Sequence, residues 1–376
     1  MIVVIDSGSS DLWVYPPSKL QLTNRTSIHG NLSYGEGSVQ GSIDFAELKI
    51  GSYTIPSQAF INVQNYTEEG GLFEQGIYGI LGLAFDNSST ADILLKQAYG
   101  VNNTLGLTPL SNIFQQNGSI PNFISIQLGR ADDLASTLEG EFTISEYIPR
   151  FSNISNAPKL PRFPPTSNFE RWTVLVDGVT VHGKSYPLNS TVAGTPKGSS
   201  VAVLDTGYTL PPLPRPLVDF IYGNISGAVY DKEEDVWIVP CLNTTDLEFT
   251  LGGDAFVIHP LDITNLTTIE LPNGSSVTFC FNTYQPFTLD SKGFSGFDMI
   301  LGDAFLRNVY ALFDYGEYNN TDGFSDQSYV RLLSTTNGST AYSDFVSSRN
   351  QTLQHYPPEL PPSELLKALG DKKRSL

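Results

Sequence analysis

Two stretches decide the fold of this chain: residues 2–9, Ile-Val-Val-Ile-Asp-Ser-Gly-Ser, and residues 201–207, Val-Ala-Val-Leu-Asp-Thr-Gly. Each is an apolar, largely β-branched run that ends in Asp, a hydroxyl residue and glycine. Such a run predicts a buried strand, the hydroxyl can brace the turn, and glycine permits a backbone conformation closed to other residues. A single Asp-Thr-Gly is usually a structural turn. Two copies behind apolar strands make Asp6 and Asp205 candidate catalytic carboxylates.

A second apolar motif follows each Asp motif, so the sequence contains an internal repeat. Ile80 begins the run Ile-Leu-Gly-Leu-Ala-Phe 74 residues after Asp6, and Ile300 begins Ile-Leu-Gly-Asp-Ala-Phe 95 residues after Asp205. Short β-rich runs bounded by Gly, Pro, Asn and Ser dominate the remainder of the chain. The pattern predicts a mainly β protein with two lobes built on the same plan.

Prolines and composition indicate where these lobes begin and end. Residues 1–150 are predicted to form the N-terminal lobe with the first Asp, and residues 166–333 the C-terminal lobe with the second. The proline-rich stretch 151–165 is the expected connection between them. Residues 334–376 are polar and contain four prolines. We expect them to form a tail outside the core, partly disordered apart from a short helix near 363–369.

The charge balance narrows the range of partners. The chain has 376 residues with 40% apolar content, and its 21 basic and 39 acidic residues give a net charge of −18. This excess of acidic residues disfavours nucleic acid and anionic membranes as partners. It suits an acidic environment, where carboxylates with an ordinary pKa of about 4 become protonated. No run of 18 apolar residues occurs, so the sequence predicts no transmembrane helix.

Glycosylation signals point to the secretory pathway. Of 24 Asn residues, 15 begin an Asn-x-Ser/Thr sequon, whereas chance would give about four. The two cysteines, Cys241 and Cys280, most simply form one disulfide in such an oxidising compartment. The four histidines are scattered, so we expect no metal site. The chain is therefore predicted to be secreted, extracellular or vacuolar. Because no signal peptide precedes Asp6, we expect that the true N-terminus is missing.

Both Asp segments resemble the active-site segments of the pepsin-like aspartic endopeptidases, and the chain looks like a secreted fungal member of that family. Residues 6–14, Asp-Ser-Gly-Ser-Ser-Asp-Leu-Trp-Val, are similar to the family's first segment, and residues 203–207 to its second. The resemblance extends over residues 2–333. It implies a mainly β, bilobal fold of two related barrel-like lobes, in which each lobe contributes one Asp to a dyad facing the cleft between them.

The same resemblance implies roles for residues around the two carboxyls. Residues 31–38, Asn-Leu-Ser-Tyr-Gly-Glu-Gly-Ser, resemble the flap hairpin that closes over substrate. Residues 79–83 and 299–307 resemble the two hydrophobic-hydrophobic-Gly elements that support the active-site loops. The implied loop supports are Ser7, Gly8, Ser9, Thr206 and Gly207. The implied flap and substrate-binding residues are Tyr34, Gly35, Trp13, Tyr208 and Thr209.

Two pairings are also implied by the resemblance. Trp13 is the expected hydrogen-bond partner of Tyr34 on the flap. Cys241 and Cys280 match the position of the family's disulfide in the C-terminal lobe.

Charge explains how such a dyad would work. Two carboxyls a few ångströms apart cannot both ionise cheaply, so the pair holds one proton over an acidic range. The ionised member can take a proton from a bound water while the other protonates the scissile carbonyl, which gives a gem-diol. The resemblance thus implies a monomeric endopeptidase that cuts proteins or peptides at acidic pH without cofactor or metal.

Departures from the family pattern leave alternatives open. Only five residues precede Asp6, where the family has a strand hairpin, and Tyr208 stands where a small hydroxyl residue usually bonds the second carboxyl. The two carboxyls should therefore differ in environment. One alternative is a catalytically weak or inactive peptide-binding glycoprotein of the same fold, and another is a structural or recognition glycoprotein. We interpret Asp303 as structural, and a serine nucleophile at Ser9 or Ser10 lacks a histidine in a triad pattern.

Overall fold

The computed structural model describes residues 1–35, 37–68, 70–130, 140–165, 170–287, 296–319, 323–324 and 327–374. Strands predominate in these ranges, as the short β-rich runs predict. No helix in them is long and apolar enough to cross a membrane.

The first half of the chain folds around one six-stranded sheet. The strands of this half of the chain are β1 (Ile2–Asp6), β2 (Leu12–Val14), β3 (Leu22–Ser33), β4 (Ser38–Ile50), β5 (Tyr53–Thr67), β6 (Ile77–Gly82), β7 (Phe123–Gln127) and β8 (Glu141–Ile144), of which the first six form the sheet. Its helices are α1 (Gly70–Glu74), α2 (Thr90–Tyr99) and α3 (Pro109–Gln116), with 3₁₀ turns at Asp86–Ser88 and Pro149–Asn156. The sheet runs in the order β1-β6-β2-β5-β4-β3.

The second half is divided among smaller sheets. Its strands are β9 (Leu160–Pro161), β10 (Thr173–Val176), β11 (Gly178–Val181), β12 (Lys184–Tyr186), β13 (Ser200–Leu204), β14 (Pro212–Leu213), β15 (Val229–Asp231), β16 (Val236–Val239), β17 (Leu247–Leu251), β18 (Asp254–Val257), β19 (Thr264–Glu270), β20 (Ser276–Asn282), β21 (Gln285–Pro286), β22 (Met299–Leu301), β23 (Val309–Asp314), β24 (Tyr318–Asn319), β25 (Gly323–Phe324) and β26 (Tyr329–Ser334). Its helices are α4 (Arg215–Tyr222), α5 (Asp303–Leu306), α6 (Ala341–Leu353) and α7 (Pro362–Arg374), with a 3₁₀ turn at Pro260–Asp262.

The internal repeat is visible in the strand pairing. β1 runs parallel to β6, with Asp6 opposite Gly82. In the second half β13 runs parallel to β22, with Val203 opposite Ile300. Each strand that leads into a candidate Asp therefore lies beside the strand that carries the Ile-Leu-Gly run of the same half. β13 is fully buried between β10 and β22, as its β-branched composition predicts. β1 is instead the edge strand of its sheet, with Ile2 exposed and residues 3–5 half-buried, so the expectation of a buried strand is wrong there.

A five-stranded sheet joins the two halves. Its order is β8-β7-β23-β26-β9, so two strands of the first half and three of the second form one hydrogen-bonded sheet that joins at the β7–β23 pair. Phe313 of β23 lies opposite Ile124 of β7 on one side and Val330 of β26 on the other. The expected connection 151–165 contributes β9 to this sheet, where Leu160 pairs with Val330. The connection is thus itself an ordered part of the interface between the halves.

An aromatic cluster fills the space behind this sheet. Trp172 is fully buried, and its ring centroid lies 4.6 Å from Phe85 and 4.8 Å from Tyr315. Trp172 Nε1 and Tyr315 Oη both donate to the carbonyl oxygen of Leu83, at 3.1 and 2.5 Å. Large aromatic side chains with satisfied polar atoms contribute strongly to a core. The aromatic cluster around Trp172 holds the Ile-Leu-Gly segment of the first half against the second half.

The C-terminal residues differ from the expected polar, partly disordered tail outside the core. Residues 341–353 form α6, in which Phe345 and Arg349 are fully buried. Arg349 Nη2 donates to the carbonyl oxygen of Thr264 at 3.1 Å, which ties α6 to β19. The helix expected near 363–369 is present as the longer α7. The prediction from the polar composition of this segment is wrong, because the few side chains that enter the core are enough to hold it there.

The expected disulfide between Cys241 and Cys280 is confirmed, and the C-terminal segment covers it. Glu359 Oε1 accepts a hydrogen bond from the backbone N–H of Cys241 at 2.8 Å. The backbone of Thr278 in β20 exchanges hydrogen bonds with residues 358 and 360, at 3.0 Å each. The segment therefore pairs with part of β20, and its packing adds to the stability of the second half.

Two buried carboxyls hold the starts of helices in the first half. Asp11 accepts from Ser89 Oγ and from the backbone N–H groups of Thr90 and Ala91, each at 2.9 Å, at the start of α2. Asp86 accepts from the backbone N–H of Thr108 and from Ser111 Oγ at the start of α3. Burial raises the pKa of both carboxyls, and their hydrogen bonds offset part of that rise. These groups make the first half sensitive to pH.

We expect Phe345→Ala to lower the free energy of unfolding by about 3–5 kcal/mol, because it empties a fully buried aromatic site. The matched control is Tyr342→Ala on the same helix, where the side chain is 61% exposed, with an expected effect of about 0.5 kcal/mol or less. Chemical denaturation monitored by fluorescence measures both. Equal effects of the two variants would show that α6 does not belong to the folded core.

We expect the melting temperature to fall as the pH rises from about 4 towards 7. A carboxyl whose folded pKa is raised stabilises the fold fully below its unfolded pKa, and this contribution is lost as the pH rises through the folded value. Burial raises the pKa of Asp11 and Asp86, and that of Asp303 to about 6. Asp86→Asn, which mimics the protonated form, should flatten the profile.

The control for that profile is Asp254→Asn, because Asp254 is exposed on β18. Thermal unfolding followed by circular dichroism gives the melting temperature at each pH. A profile for Asp86→Asn with the same slope as the wild type would contradict the assignment of the effect to Asp86.

Candidate active site

The two Asp-containing turns meet and brace each other through their hydroxyl residues. The backbone N–H of Ser7 donates to Thr206 Oγ1 at 3.0 Å, and the N–H of Thr206 donates to Ser7 Oγ at 2.9 Å. Ser7 Oγ in turn donates to the carbonyl oxygen of Leu204 at 2.8 Å, and Thr206 Oγ1 to that of Ile5 at 2.7 Å. We call these four bonds the hydroxyl lattice. They cross between the halves, and both side chains are buried.

Glycine is required next to each carboxyl because the two turns approach so closely. A Cβ atom at Gly8 would lie 2.1 Å from Asp205 Oδ2, and a Cβ atom at Gly207 would lie 2.6 Å from Asp6 Oδ1. No side chain fits at such distances. Each glycine therefore makes room for the carboxyl of the opposite turn, and the lattice and the glycines together bring Asp6 and Asp205 to the same place.

The Ile-Leu-Gly segments support these turns from behind. A Cβ atom at Gly82 would lie 2.5 Å from the carbonyl carbon of Ser10, and one at Gly302 would lie 2.0 Å from the carbonyl oxygen of Tyr208. The backbone N–H of Leu83 donates to the carbonyl oxygen of Asp6 at 2.7 Å. The N–H of Asp303 donates to the carbonyl oxygen of Tyr208 at 2.9 Å. Glycine in each segment thus lets the supporting backbone touch the Asp-containing turn directly.

The two carboxyls have different hydrogen-bond partners. Asp6 is 5% exposed and accepts from the N–H of Gly8 at 2.8 Å and from the hydroxyl of Ser9. Asp205 is partly exposed and accepts from the N–H of Gly207 at 2.8 Å. The residue after Gly207 is Tyr208, at the position that Ser9 occupies in the first turn. The hydrogen bonds around the pair are therefore asymmetric, which is the difference that Tyr208 predicts.

Desolvation and mutual repulsion favour one shared proton on the pair. Burial among protein groups raises the pKa of Asp205 well above its ordinary range, and the neighbouring charge of Asp6 and a hydrogen bond between the two carboxyls raise it further. The N–H of Gly207 opposes this rise. Asp205 therefore keeps a proton at pH values where an isolated carboxyl has lost it.

A cleft of about 940 Å³ opens above the pair, and Asp6 and Asp205 both line it. The turn between β3 and β4 carries Tyr34, which also lines the cleft. Trp13 Nε1 donates to Tyr34 Oη at 2.7 Å, so the hydrogen bond expected from the sequence is confirmed. Trp13 is fully buried, and this hydrogen bond fixes the position of the tyrosine ring. Gly35 and Thr209 also line the cleft.

The cleft also contains residues that the sequence motifs did not indicate. Arg171 and Glu68 contribute charge to its walls, and Leu72, Phe281 and Phe297 contribute apolar surface. These residues come from five separate segments and follow no spacing rule, so only the folded chain brings them together. In the part of the chain that the structure describes, no group of three or more His, Cys, Asp or Glu side chains could hold a metal ion.

The chain is similar to known proteins along most of its length. The family model described as eukaryotic aspartyl protease matches residues 1–326. The chain is 25% identical over 341 residues to pepsin A of Rhinolophus ferrumequinum, covering 86% of this chain and 76% of the relative. It is 26% identical over 354 residues to a probable aspartic-type endopeptidase of Aspergillus fumigatus, covering 84% and 73%. It is 25% identical over 341 residues to cathepsin E of Mus musculus, covering 86% and 76%.

Removing one lattice hydroxyl should destabilise the protein measurably. Thr206→Val keeps the shape of the side chain but leaves the buried N–H of Ser7 without its acceptor, so we expect a loss of about 1–3 kcal/mol in the free energy of unfolding. Thr209→Val, three residues away at an exposed position, is the control. Chemical denaturation of both variants is the measurement. A loss in Thr209→Val as large as in Thr206→Val would refute the role of the lattice.

Proposed function

This chain belongs to the eukaryotic aspartyl protease family, and from that membership we propose that it is an endopeptidase that hydrolyses peptide bonds at acidic pH. We propose Asp6 and Asp205 as its catalytic pair. The observation that carries this proposal is the meeting of the two carboxyls at one cleft, held by the reciprocal bonds of Ser7 and Thr206. The two family-typical glycines beside them leave room for both carboxyls.

The proposed reaction uses a water molecule rather than a nucleophilic side chain. The ionised carboxylate takes a proton from the water, whose oxygen attacks the scissile carbonyl carbon, while the protonated carboxyl gives its proton to the carbonyl oxygen. The resulting gem-diol collapses as the amide nitrogen is protonated and the C–N bond breaks. The raised pKa of Asp205 supports it as the proton donor. The two donors that face Asp6 support it as the site of negative charge.

The shared proton gives the proposed activity its pH dependence. At the lowest pH both carboxyls are protonated and no base remains. Above the raised pKa of Asp205 both are ionised and no acid remains. Activity should therefore pass through a maximum in acid and fall towards neutral pH, where buried carboxyls also weaken the fold.

The substrate that fits this cleft is an extended stretch of protein or peptide. Tyr34 on the β3–β4 turn lines the same cleft as the pair, and its hydrogen bond to Trp13 fixes the ring, so this turn is the proposed flap. We propose that the chain acts as a monomer without a cofactor. The 15 sequons and the disulfide between Cys241 and Cys280 support a glycoprotein that passes through the secretory pathway, towards the exterior or a vacuole.

Tyr208 is the observation that favours a second candidate, a peptide-binding protein of the same fold with little or no turnover. It stands at the position that corresponds to Ser9, whose hydroxyl donates to Asp6. The two candidates differ in one measurement, because both bind a statine-type transition-state mimic but only the endopeptidase cleaves peptide bonds.

We expect Asp6→Asn and Asp205→Asn each to lower the rate of cleavage of a denatured protein by roughly a thousandfold or more, because each removes one of the two groups that move protons. Cleavage is followed from about pH 2 to about pH 7, with a maximum expected in acid. Asp254→Asn, at an exposed position on β18, is the matched control. Turnover that persists in either of the first two variants would exclude the dyad. Binding of the mimic without turnover by the wild type would favour the second candidate.

A further inference from the structure

Acidic side chains outnumber basic ones among the described residues that line the cleft. Among the described residues that line it, the carboxyl groups are those of Asp6, Asp11, Glu68, Glu170 and Asp205, and Arg171 supplies the single Lys or Arg side chain. The whole chain has a net charge of −18. Arg171 is therefore an exceptional residue at the cleft wall. The proton transfers proposed for Asp6 and Asp205 do not involve its guanidinium.

The backbone holds Arg171 firmly at the cleft wall. The next residue, Trp172, is fully buried and bonded to the carbonyl oxygen of Leu83. The carbonyl oxygen of Arg171 itself accepts from the N–H of Thr173 at 2.8 Å. Its guanidinium lies 5.6 Å from the ring centroid of Phe297, which also lines the cleft. The side chain thus lies against an apolar wall and is half-buried.

The nearest carboxylate in sequence faces a different cation. Glu170 Oε1 accepts from Arg162 Nη2 at 3.0 Å, and the N–H of Glu170 donates to Ser88 Oγ at 2.7 Å. The carboxyls whose charge acts on Arg171 are instead Asp205 and Asp6, which carry one negative charge between them while they share a proton. Burial lowers the pKa of Arg171 below its ordinary value, but a guanidinium remains charged throughout the acidic range. The cleft therefore carries a permanent positive charge near the candidate pair.

We propose that Arg171 is a specificity-determining residue that binds an acidic side chain of the substrate close to the scissile bond. This inference rests on the proposed function and goes further by stating the class of peptide preferred. Arg171 also interacts with other groups of the protein. Its five N–H donors allow a substrate carboxylate to be added to those contacts.

The environment strengthens such a contact. The half-buried site and the ring of Phe297 reduce solvent screening, so a carboxylate gains more from the guanidinium there than at an exposed position. The remaining lining carboxylates repel an acidic side chain placed elsewhere in the cleft. Discrimination thus comes from attraction at one subsite and repulsion at the others.

The proposal predicts a preference that depends on pH. A glutamate side chain of a peptide ionises with a pKa of about 4.3. The preference for Glu over Gln at the subsite should therefore grow as the pH rises from about 3 to about 5.5. A contact that depends only on shape or on a neutral hydrogen bond would give a constant ratio. Because both peptides meet the same pair at each pH, any effect of Arg171 on Asp6 and Asp205 cancels in the ratio.

The experiment compares kcat/KM for peptides that carry Glu, Gln or Lys at each of the three positions on either side of the scissile bond. For the wild type we expect Glu to exceed Gln by roughly tenfold at one position near pH 5.5. Arg171→Gln should lose this preference, and Arg171→Lys should keep part of it because the charge remains. Arg25→Gln, which removes the same charge at an exposed position on β3, should leave the ratio unchanged.

The outcomes separate this inference from the proposed function. A ratio in the wild type that is flat with pH, or one that is unchanged in Arg171→Gln, would overturn the inference while the endopeptidase activity stands. If the wild type cleaves none of the peptides, binding of analogues with a reduced, uncleavable bond replaces turnover. If the wild type binds the Glu analogue more tightly than the Gln analogue and Arg171→Gln does not, the role of Arg171 is supported although the proposed activity has failed. Equal binding of the Glu and Gln analogues by the wild type would reject the role of Arg171 together with the proposed activity.

Discussion

The reciprocal bonds between Ser7 and Thr206 are the constraint on which the rest of the site depends. Each hydroxyl accepts from the backbone of the opposite turn and donates to the strand behind it, so neither half can shift without breaking buried hydrogen bonds. Unpaired groups there would cost more than the bonds gain. The glycines beside the carboxyls and the Ile-Leu-Gly segments behind the turns are adaptations to the close approach that this lattice imposes.

Buried carboxyls connect the proposed chemistry with the stability of the fold. Asp11 and Asp86 hold helix starts in the first half, and Asp303 lies behind the second active-site turn. Burial raises the pKa of all three, as it does for Asp205. The shared proton of the pair and the protons of these buried groups are therefore all held above the pH at which an ordinary carboxyl loses its proton. This common direction of the pKa shifts supports the proposed activity at acidic pH.

The sequence predicted those features that local motifs carry. The Asp motifs follow from a short sequence pattern, the disulfide from the single pair of cysteines, and the contact of Trp13 with Tyr34 from the resemblance to the pepsin-like family. The disulfide and the contact are present as expected. Arg171 could not be predicted, because its place at the cleft depends on the burial of Trp172 against the other half. The C-terminal segment was misjudged for a similar reason. Its polar composition hides Phe345 and Arg349, whose contacts lie far back along the chain.

The five-stranded sheet has a consequence for how the chain is made. β7 leaves the ribosome long before β23, the strand that pairs with it between Tyr310 and Asp314. Until then the early half carries an apolar strand with an open edge, which is a site for association with other chains. Native contacts of such long sequence separation also make folding slow. Successful synthesis of this protein therefore depends on keeping that edge shielded while the second half is translated.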